Sequence, residues 1–292
     1  MKIVSIISTS IFLLSIWISA AASGAECDNW QSSHPEWIWC DDFESMQALT
    51  TRYEDVSSLG MSQSTEDAYA DQSSLKQTYT TGQVDAGWVI KVNDAGFPDH
   101  IFYRFYHKFP QGYSVFPPKM SRLGYRQRGS TWQAIFSVQT WLKSDGELTL
   151  DVLAKNSSQA NGGGYLGVRN SGLTLAAYLD QWVAIEVEVK LNTPSMSDGV
   201  YRMWVDNNLV IEALNVDLRG STNDKINEVM LDTYWNDGAN APLNRYYDNF
   251  VISTQRIGLA GSPPVVVTPP PVTPSPMCFI SPQTPIIQQS NS

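Results

Sequence analysis

Val183-Ala184-Ile185-Glu186-Val187-Glu188-Val189-Lys190 places a β-branched apolar residue at every odd position and a small or charged one between. A period of two, rather than 3.6, marks a strand with one buried face. The same alternation recurs on both sides. Ile101, Tyr103 and Phe105 alternate with Phe102, Arg104 and Tyr106. Trp132, Ala134, Phe136 and Val138 alternate with Gln133, Ile135, Ser137 and Gln139, and Leu148, Leu150 and Val152 with Thr149, Asp151 and Leu153. Residues 201–205 and 209–211 flank Asp206-Asn207-Asn208, a signal for a tight hairpin, and 229–235 and 246–252 supply two more strands. Apart from a short turn near 43–49, no comparable stretch has helical periodicity. Many antiparallel strands of moderate length predict an all-β chain, a two-sheet antiparallel β-jelly roll.

The 292 residues carry 19 Lys plus Arg against 29 Asp plus Glu, a formal net charge of −10. Aromatics make up 11% and charged residues only 16%, too apolar a balance for a disordered chain. The acidic total argues against nucleic acid, whose binding relies on a positive footprint. Three Cys exclude a disulfide-dense scaffold.

Both ends read as lying outside the fold. Lys2, an apolar run over 3–18 and the small residues Ala20-Ala21-Ala22 and Ser23-Gly24-Ala25 predict a secretory signal peptide over 1–25. After its cleavage no membrane segment is expected, and the mature protein is secreted, extracellular or periplasmic. A disulfide is then chemically permitted, and Cys27 and Cys40 could close a short Trp-rich loop, leaving Cys278 over. From Gly261 onward, a run of Pro, Val, Thr and Ser predicts an extended tail or linker over 261–292. The expected globular unit is 26–260.

Common catalytic signatures are missing from the sequence: Gly-x-Ser-x-Gly, His-Glu-x-x-His, a phosphate loop and a dinucleotide fingerprint. Glu186 and Glu188 have the spacing of paired glycosidase carboxylates, but as the polar half of an amphipathic strand they are expected to form an outward, solvated row. Charge distribution is more informative. From His100 to Ser144 there is no acidic residue, while Arg104, Lys108, Lys119, Arg122, Arg126, Arg128 and Lys143 give that segment +7. Such a field would concentrate an anionic ligand. Arg126 and Arg128 suit solvated loops, whereas Arg104, set among aromatics in a strand, needs an anionic partner or ligand. Tyr103, Tyr106, Tyr125, Trp132, Trp141, Tyr234 and Trp235 offer rings on which sugars stack, so an acidic polysaccharide is the expected partner.

A family resemblance rests on the second half of the chain. Trp182-Val183-Ala184-Ile185-Glu186-Val187-Glu188-Val189-Lys190-Leu191-Asn192-Thr193-Pro194 leads through Asp198-Gly199-Val200 to Trp204-Val205-Asp206, and later to Tyr246-Tyr247-Asp248-Asn249-Phe250-Val251-Ile252-Ser253. This resembles the secreted β-jelly-roll polysaccharide lyases of the alginate and glucuronan lyase-like group, which implies a concanavalin A-like sandwich and β-elimination on a uronate-containing polymer. Pro118-Lys119-Met120-Ser121-Arg122-Leu123-Gly124 resembles the family's lysine loop. Phe136-Ser137-Val138-Gln139-Thr140-Trp141 resembles its serine strand, with Gln139 where arginine is usual. Leu148 to Ala154 resembles its tyrosine strand, with Asp151 and Leu153 at the tyrosine positions.

The resemblance implies Lys119 and a tyrosine, Tyr234 among the candidates with Tyr103 and Tyr106, as acid and base, and Gln139 as partner of the uronate carboxylate. Arg104, Tyr106, Arg122, Ser137, Trp141 and Asp151 are the expected substrate contacts. His107 shares a strand face with Tyr103 and Phe105; either that face or the one bearing Arg104, Tyr106 and Lys108 is the concave one. The alternative is a non-catalytic, lectin-like module for acidic glycans. No cofactor is expected, with structural calcium near Asp198, Asp237 and Asp248 as a weaker reading.

Overall fold

The computed structural model describes residues 25–126, 134–155 and 164–261. Residues 1–24 of the expected signal peptide, the expected tail from 262 with Cys278, and Arg128 and Trp132 lie outside the described residues. Alternating residues become strands in chain order: β1 (Trp37–Asp41), β2 (Asp55–Ser57), β3 (Met61–Ser64), β4 (Ser74–Tyr79), β5 (Trp88–Val92), β6 (His100–Lys108), β7 (Lys119–Arg126) and β8 (Ala134–Leu142). They continue as β9 (Glu147–Ala154), β10 (Gly164–Thr174), β11 (Val183–Lys190), β12 (Gly199–Val205), β13 (Asn208–Val216), β14 (Glu228–Leu231) and β15 (Leu243–Ser253). Two one-turn helices, α1 (Trp30–Ser33) and α2 (Leu49–Arg52), precede β2.

The strands form two antiparallel sheets, as the period of two predicts. The first runs β13-β12-β11-β6-β15-β4-β3, with β1 also on β15; the second runs β10-β9-β8-β7-β14-β5-β2. The β12–β13 hairpin turns on Asp206 and Asn207, both at positive φ (46° and 67°), the backbone a two-residue hairpin loop requires. Between the sheets, Ile101, Tyr103 and Phe105 of β6 and Val183, Ile185, Val187 and Val189 of β11 meet Phe136 and Val138 of β8 and Leu148, Leu150 and Val152 of β9. The sandwich is a jelly roll whose inner faces are those the alternation marks as apolar.

The other face of the first sheet is covered by the two ends of the described chain. Trp37, Cys40, Phe102, Trp204, Val251 and Ile257 form a second apolar cluster there. A Cys27–Cys40 disulfide closes the N-terminal part of this cover. Arg104 projects into it with no exposed surface. Its guanidinium bonds the Glu26 carboxylate and donates to the carbonyls of Asn249 (3.2 Å) and Gly258 (3.2 Å). Tyr106 on the same face stacks on Tyr69, ring centroids 3.6 Å apart, and its hydroxyl accepts from the Ala260 amide at 2.9 Å.

Three expectations are therefore corrected. Arg104 and Tyr106 are structural, because the chain ends cover the face that carries them. Glu186 and Glu188 are not solvated: they are 3% and 4% exposed. Glu186 accepts from the amides of Ile257 (2.8 Å) and Gly258 (3.0 Å), and Glu188 pairs with Arg202 (2.9 Å) and His100 (2.8 Å). Alternation gives two faces but does not say what lies on top of the outer one. Arg126 is no solvated loop residue either; it ends β7 and pairs with Glu228 (2.8 Å) and Asp55 (2.9 Å).

Removing one member of a buried ion pair leaves the other charge uncompensated, at about 3–5 kcal/mol. Glu26→Ala is expected to destabilise the protein by about 3 kcal/mol in urea denaturation. An effect within about 0.5 kcal/mol, the size of an ordinary surface substitution, would show that the carbonyls of Asn249 and Gly258 suffice for Arg104.

Candidate functional site

The outer face of the second sheet collects most of the remaining expected residues. On β8, Phe136, Val138 and Leu142 point inward, so Ser137, Gln139 and Trp141 point outward. On β9, Leu148, Leu150 and Val152 point inward, so Thr149, Asp151 and Leu153 point outward. Antiparallel register then aligns Met230 of β14, Arg122 of β7, Gln139 of β8, Asp151 of β9 and Val168 of β10 as one row across five strands. In the adjoining row Trp141 lies between Lys119 and Thr149, and on the other side Ser137 lies between Gly124 and Leu153. The registry of three strands thus gathers residues up to 32 positions apart in sequence, Lys119 to Asp151.

Each charge here has a defined surrounding. Arg122, 4% exposed, donates from Nη2 to Oδ2 of Asp232 at 2.6 Å. The other oxygen of Asp232 accepts from the amides of Thr233 (2.7 Å) and Tyr234 (3.1 Å), fixing the chain as it leaves β14. The Lys119 ammonium lies 4.4 Å from the ring centroid of Tyr234 and 4.8 Å from that of Trp141, a cation–π sandwich. It donates to Oδ1 of Asn236 at 3.0 Å. Gln139 donates from Nε2 to the Ser137 hydroxyl at 3.2 Å. Oε1 of Gln139 and Oδ1 of Asp151 are buried with no protein partner.

The backbone beneath is tied to the first sheet. Arg245 of β15 has no exposed surface and donates from Nη2 to the carbonyls of Asp232 (2.8 Å) and Lys119 (2.9 Å). The hydroxyl of Tyr247, also on β15, bonds the carbonyls of Met120 and Asp232, both at 3.1 Å.

Burial makes two of these groups unusual. It lowers the Lys119 ammonium to about 8; the Asp232 carboxylate opposes the shift, and the Arg122 charge adds to it. Burial raises the Asp151 carboxyl to about 6, against the charges of Lys119 and Arg122. Near neutral pH this face therefore holds a weakened ammonium and a carboxylate with a strong affinity for a proton, a pairing found where acid–base chemistry is done.

Lys119, Arg122, Ser137, Gln139, Trp141, Asp151 and Tyr234 thus share one face, whereas Arg104 and Tyr106 lie on the other sheet. The +7 segment is largely neutralised by acids outside it. Besides the pairs of Arg104, Arg122 and Arg126, Lys108 meets Asp67 (2.8 Å) and Asp180 (3.1 Å), and Lys143 meets Glu147. Among the described residues of that segment, Lys119 is the cation without an ion pair.

Tyr103, considered as acid or base, and His107 on the same strand face are directed into the core. Tyr103 bonds the Ser121 hydroxyl at 2.9 Å between the sheets. His107 packs on Phe109 and Tyr247, and burial holds its imidazole well below the ordinary range. Trp235 is buried with Tyr79, Ala86 and Ala239. Asp232, Asn236 and Arg245 were not expected at the site. The first had a legible signal, since alternation over 229–235 puts Met230, Asp232 and Tyr234 on one face.

Asp198, Asp237 and Asp248 do not form a calcium cluster. Asp198 closes a turn onto the amide (2.6 Å) and hydroxyl (2.8 Å) of Thr193, Asp248 accepts from the amides of Tyr69 and Asn249, and Asp237 is exposed. Among the described residues no group of three or more His, Cys, Asp or Glu is placed to hold a metal ion, and no helix is long and apolar enough to cross a membrane.

Asp151 links the site to stability. Its ordinary pKa near 3.8 rises to about 6 on folding, so the folded protein binds the extra proton between those values. Stability is then fully present below pH 3.8 and falls as pH rises through 6. Asp151→Asn is expected to match the parent near pH 4 and to exceed it by about 1–3 kcal/mol at pH 7.5. Urea denaturation at the two pH values measures this; a variant destabilised equally at both would refute it.

Residues 151–242 match the family model described as Polysaccharide lyase 14. No curated protein matches the chain. Among solved structures, the endo-β-1,4-glucuronan lyase of the fungus Trichoderma reesei is 16% identical with a TM-score of 0.53, over 75% of this chain and 91% of that one. An alginate lyase from a Chlorella virus gives 15% and 0.56, over 77% and 96%. The PL-14 alginate lyase of Aplysia kurodai gives 14% and 0.57, over 74% and 98%. At these identities the likeness is one of architecture: the chain has a β-jelly-roll fold related to that of the alginate and glucuronan lyases.

Proposed function

We propose that the outer face of the second sheet binds a uronate-containing polysaccharide and that the protein is a secreted polysaccharide lyase acting by β-elimination. The observation that carries this reading is Lys119. It is an ammonium without a carboxylate partner, held between two aromatic rings, and brought by burial to about 8. The neighbouring sugar-stacking surfaces are Trp141, half-buried, and Tyr234, 42% exposed. The family model matched over 151–242 supports the same class of chemistry.

In this reading the neutral amine of Lys119 removes the proton at C5 of the uronate. The electron pair of that C–H bond forms a C4=C5 double bond, and the C4–O4 bond breaks. The Tyr234 hydroxyl supplies the proton that the leaving O4 takes up. The uronate carboxylate lies beside Arg122 in the central row, whose charge lowers the barrier to forming negative charge next to it. Ser137 fixes the Gln139 amide by their mutual hydrogen bond.

A second reading has a specific observation in its favour. The Lys119 ammonium meets the ring of Tyr234, and the expected tyrosine positions of the family carry Asp151 and Leu153. A lectin-like face would use the same rings and cation to bind without cleaving.

Ultraviolet absorbance from unsaturated products separates the two. On a panel of alginate, glucuronan, heparin and pectate, the lyase produces a rise on at least one polymer, faster as pH increases towards 8 because the neutral amine is the base. Lys119→Ala is expected to lower kcat/KM by about 10²–10⁴-fold, the usual share of one acid–base group. Binding with no absorbance change on any polymer would leave the lectin-like reading in its place.

A further inference from the structure

The acceptors in the middle of the central row call for a ligand that donates. Gln139 and Asp151 are direct register partners on β8 and β9, so their side chains stand one strand spacing apart, about 4.8 Å, on the same face. They are 8% and 4% exposed, and each carries an oxygen, Oε1 and Oδ1, that has no protein partner. The Gln139 donor is turned away from this pair and bonds the Ser137 hydroxyl. Buried polar atoms in folded proteins are nearly always satisfied, so two adjacent acceptors left over call for donors from outside the chain, which hydroxyls can supply. A sugar ring brings such donors in pairs, on neighbouring carbons.

Charge points the same way. Arg122 is taken by Asp232, so the positive charge of Lys119 faces the negative charge of Asp151 across the site. The groups facing Asp151 are Arg122 from β7, Gln139 from β8, Val168 from β10 and Lys119 at the start of β7. A face with that balance can hold one uronate carboxylate, on the side of the row where Lys119 and Arg122 lie. A second carboxylate on the next sugar would lie against the Asp151 carboxylate and two acceptor oxygens.

We propose that Gln139 and Asp151 form a subsite for the vicinal hydroxyls of a neutral sugar, making the ligand a heteropolysaccharide in which uronates alternate with neutral residues instead of a continuous polyuronate. This rests on the carbohydrate-binding reading of the face and adds to it the identity of the neighbouring sugar. Asp151 then acts as the specificity-determining residue. Its carboxylate accepts both hydroxyls of the neutral ring and repels the carboxylate that a uronate would bring to the same place.

Titration calorimetry of the full protein at pH 7.5 tests it, with a tetrasaccharide of alternating glucuronate and glucose against tetraglucuronate as probes. The alternating probe is expected to bind at least tenfold more tightly. Asp151→Ala is expected to weaken the alternating probe about tenfold or more and to strengthen tetraglucuronate several-fold, reversing the preference. Asp151→Asn keeps an acceptor and the volume, and should fall between the two for the alternating probe. Equal or tighter binding of tetraglucuronate by the parent overturns the proposal. So does an Asp151→Ala variant that weakens both probes alike, or binding of neither probe. The lyase reading fails separately: preferential binding of the alternating probe without any unsaturated product removes the elimination chemistry and leaves the subsite standing.

Discussion

Arg245 is a buried cation whose hydrogen bonds run from one sheet to the backbone of the other. From β15 it reaches the carbonyls of Lys119 and Asp232, while Tyr247, two residues on, bonds those of Met120 and Asp232. Those carbonyls belong to the start of β7 and the end of β14, the two points from which Lys119, Arg122, Asp232 and Tyr234 project. An apolar core alone would hold the sheets together at a range of small offsets, because burial is not directional. Hydrogen bonds from a planar guanidinium are directional, so they fix the offset at which the site residues meet. The rings of Tyr247 and Tyr79, 5.3 and 5.8 Å from the guanidinium carbon, enclose the charge and supply part of its lost solvation.

The same logic of compensation explains the charges elsewhere. The basic stretch of β6 to β8 finds its acids far away in sequence: Arg104 at Glu26, Arg122 at Asp232, Arg126 at Asp55 and Glu228. An acidic chain with few cations can pair nearly every one of them, and buried cations require it. Lys119 is handled differently. Two rings and an amide oxygen surround it in place of a carboxylate, which is why burial succeeds in lowering its proton affinity. A paired lysine in the same place would have kept its charge and could not serve as a base near neutral pH.

How much of this was legible follows from what alternation encodes. It tells which side chains share a face, so the jelly roll, the Asp206-Asn207 hairpin and the grouping of Ser137, Gln139 and Trp141 opposite Phe136 and Val138 were all readable. Resemblance added Lys119 and Asp151 to that group. Alternation does not tell which face meets the other sheet or what covers the remaining one. Arg104 and Tyr106 have the same local pattern as Gln139 and Asp151, yet the first pair lies under the chain ends and the second on the outer face of the other sheet. Glu186 and Glu188 were misread for the same reason: their cover is a segment about 70 residues later, at Ile257 and Gly258. Arg245 carried no local signal, since its partners are carbonyl groups, which every residue possesses.

The two outer faces can be compared as physical alternatives built from the same kind of strand. On the first sheet, Glu186 takes two amides and Arg104 takes a carboxylate and two carbonyls, so the charges of these two groups are met by the protein itself. On the second, Gln139 and Asp151 keep buried acceptors that nothing in the protein meets, and the Asp151 carboxyl is strained towards its protonated form. Leaving such groups unmatched lowers stability, and selection for stability alone would replace them with apolar residues or a partner. Their presence beside an unpaired ammonium and two exposed or half-buried rings is what supports the proposal of a ligand on this face. The first sheet, where Glu186 and Arg104 are answered by the chain itself, is the frame against which that face is held.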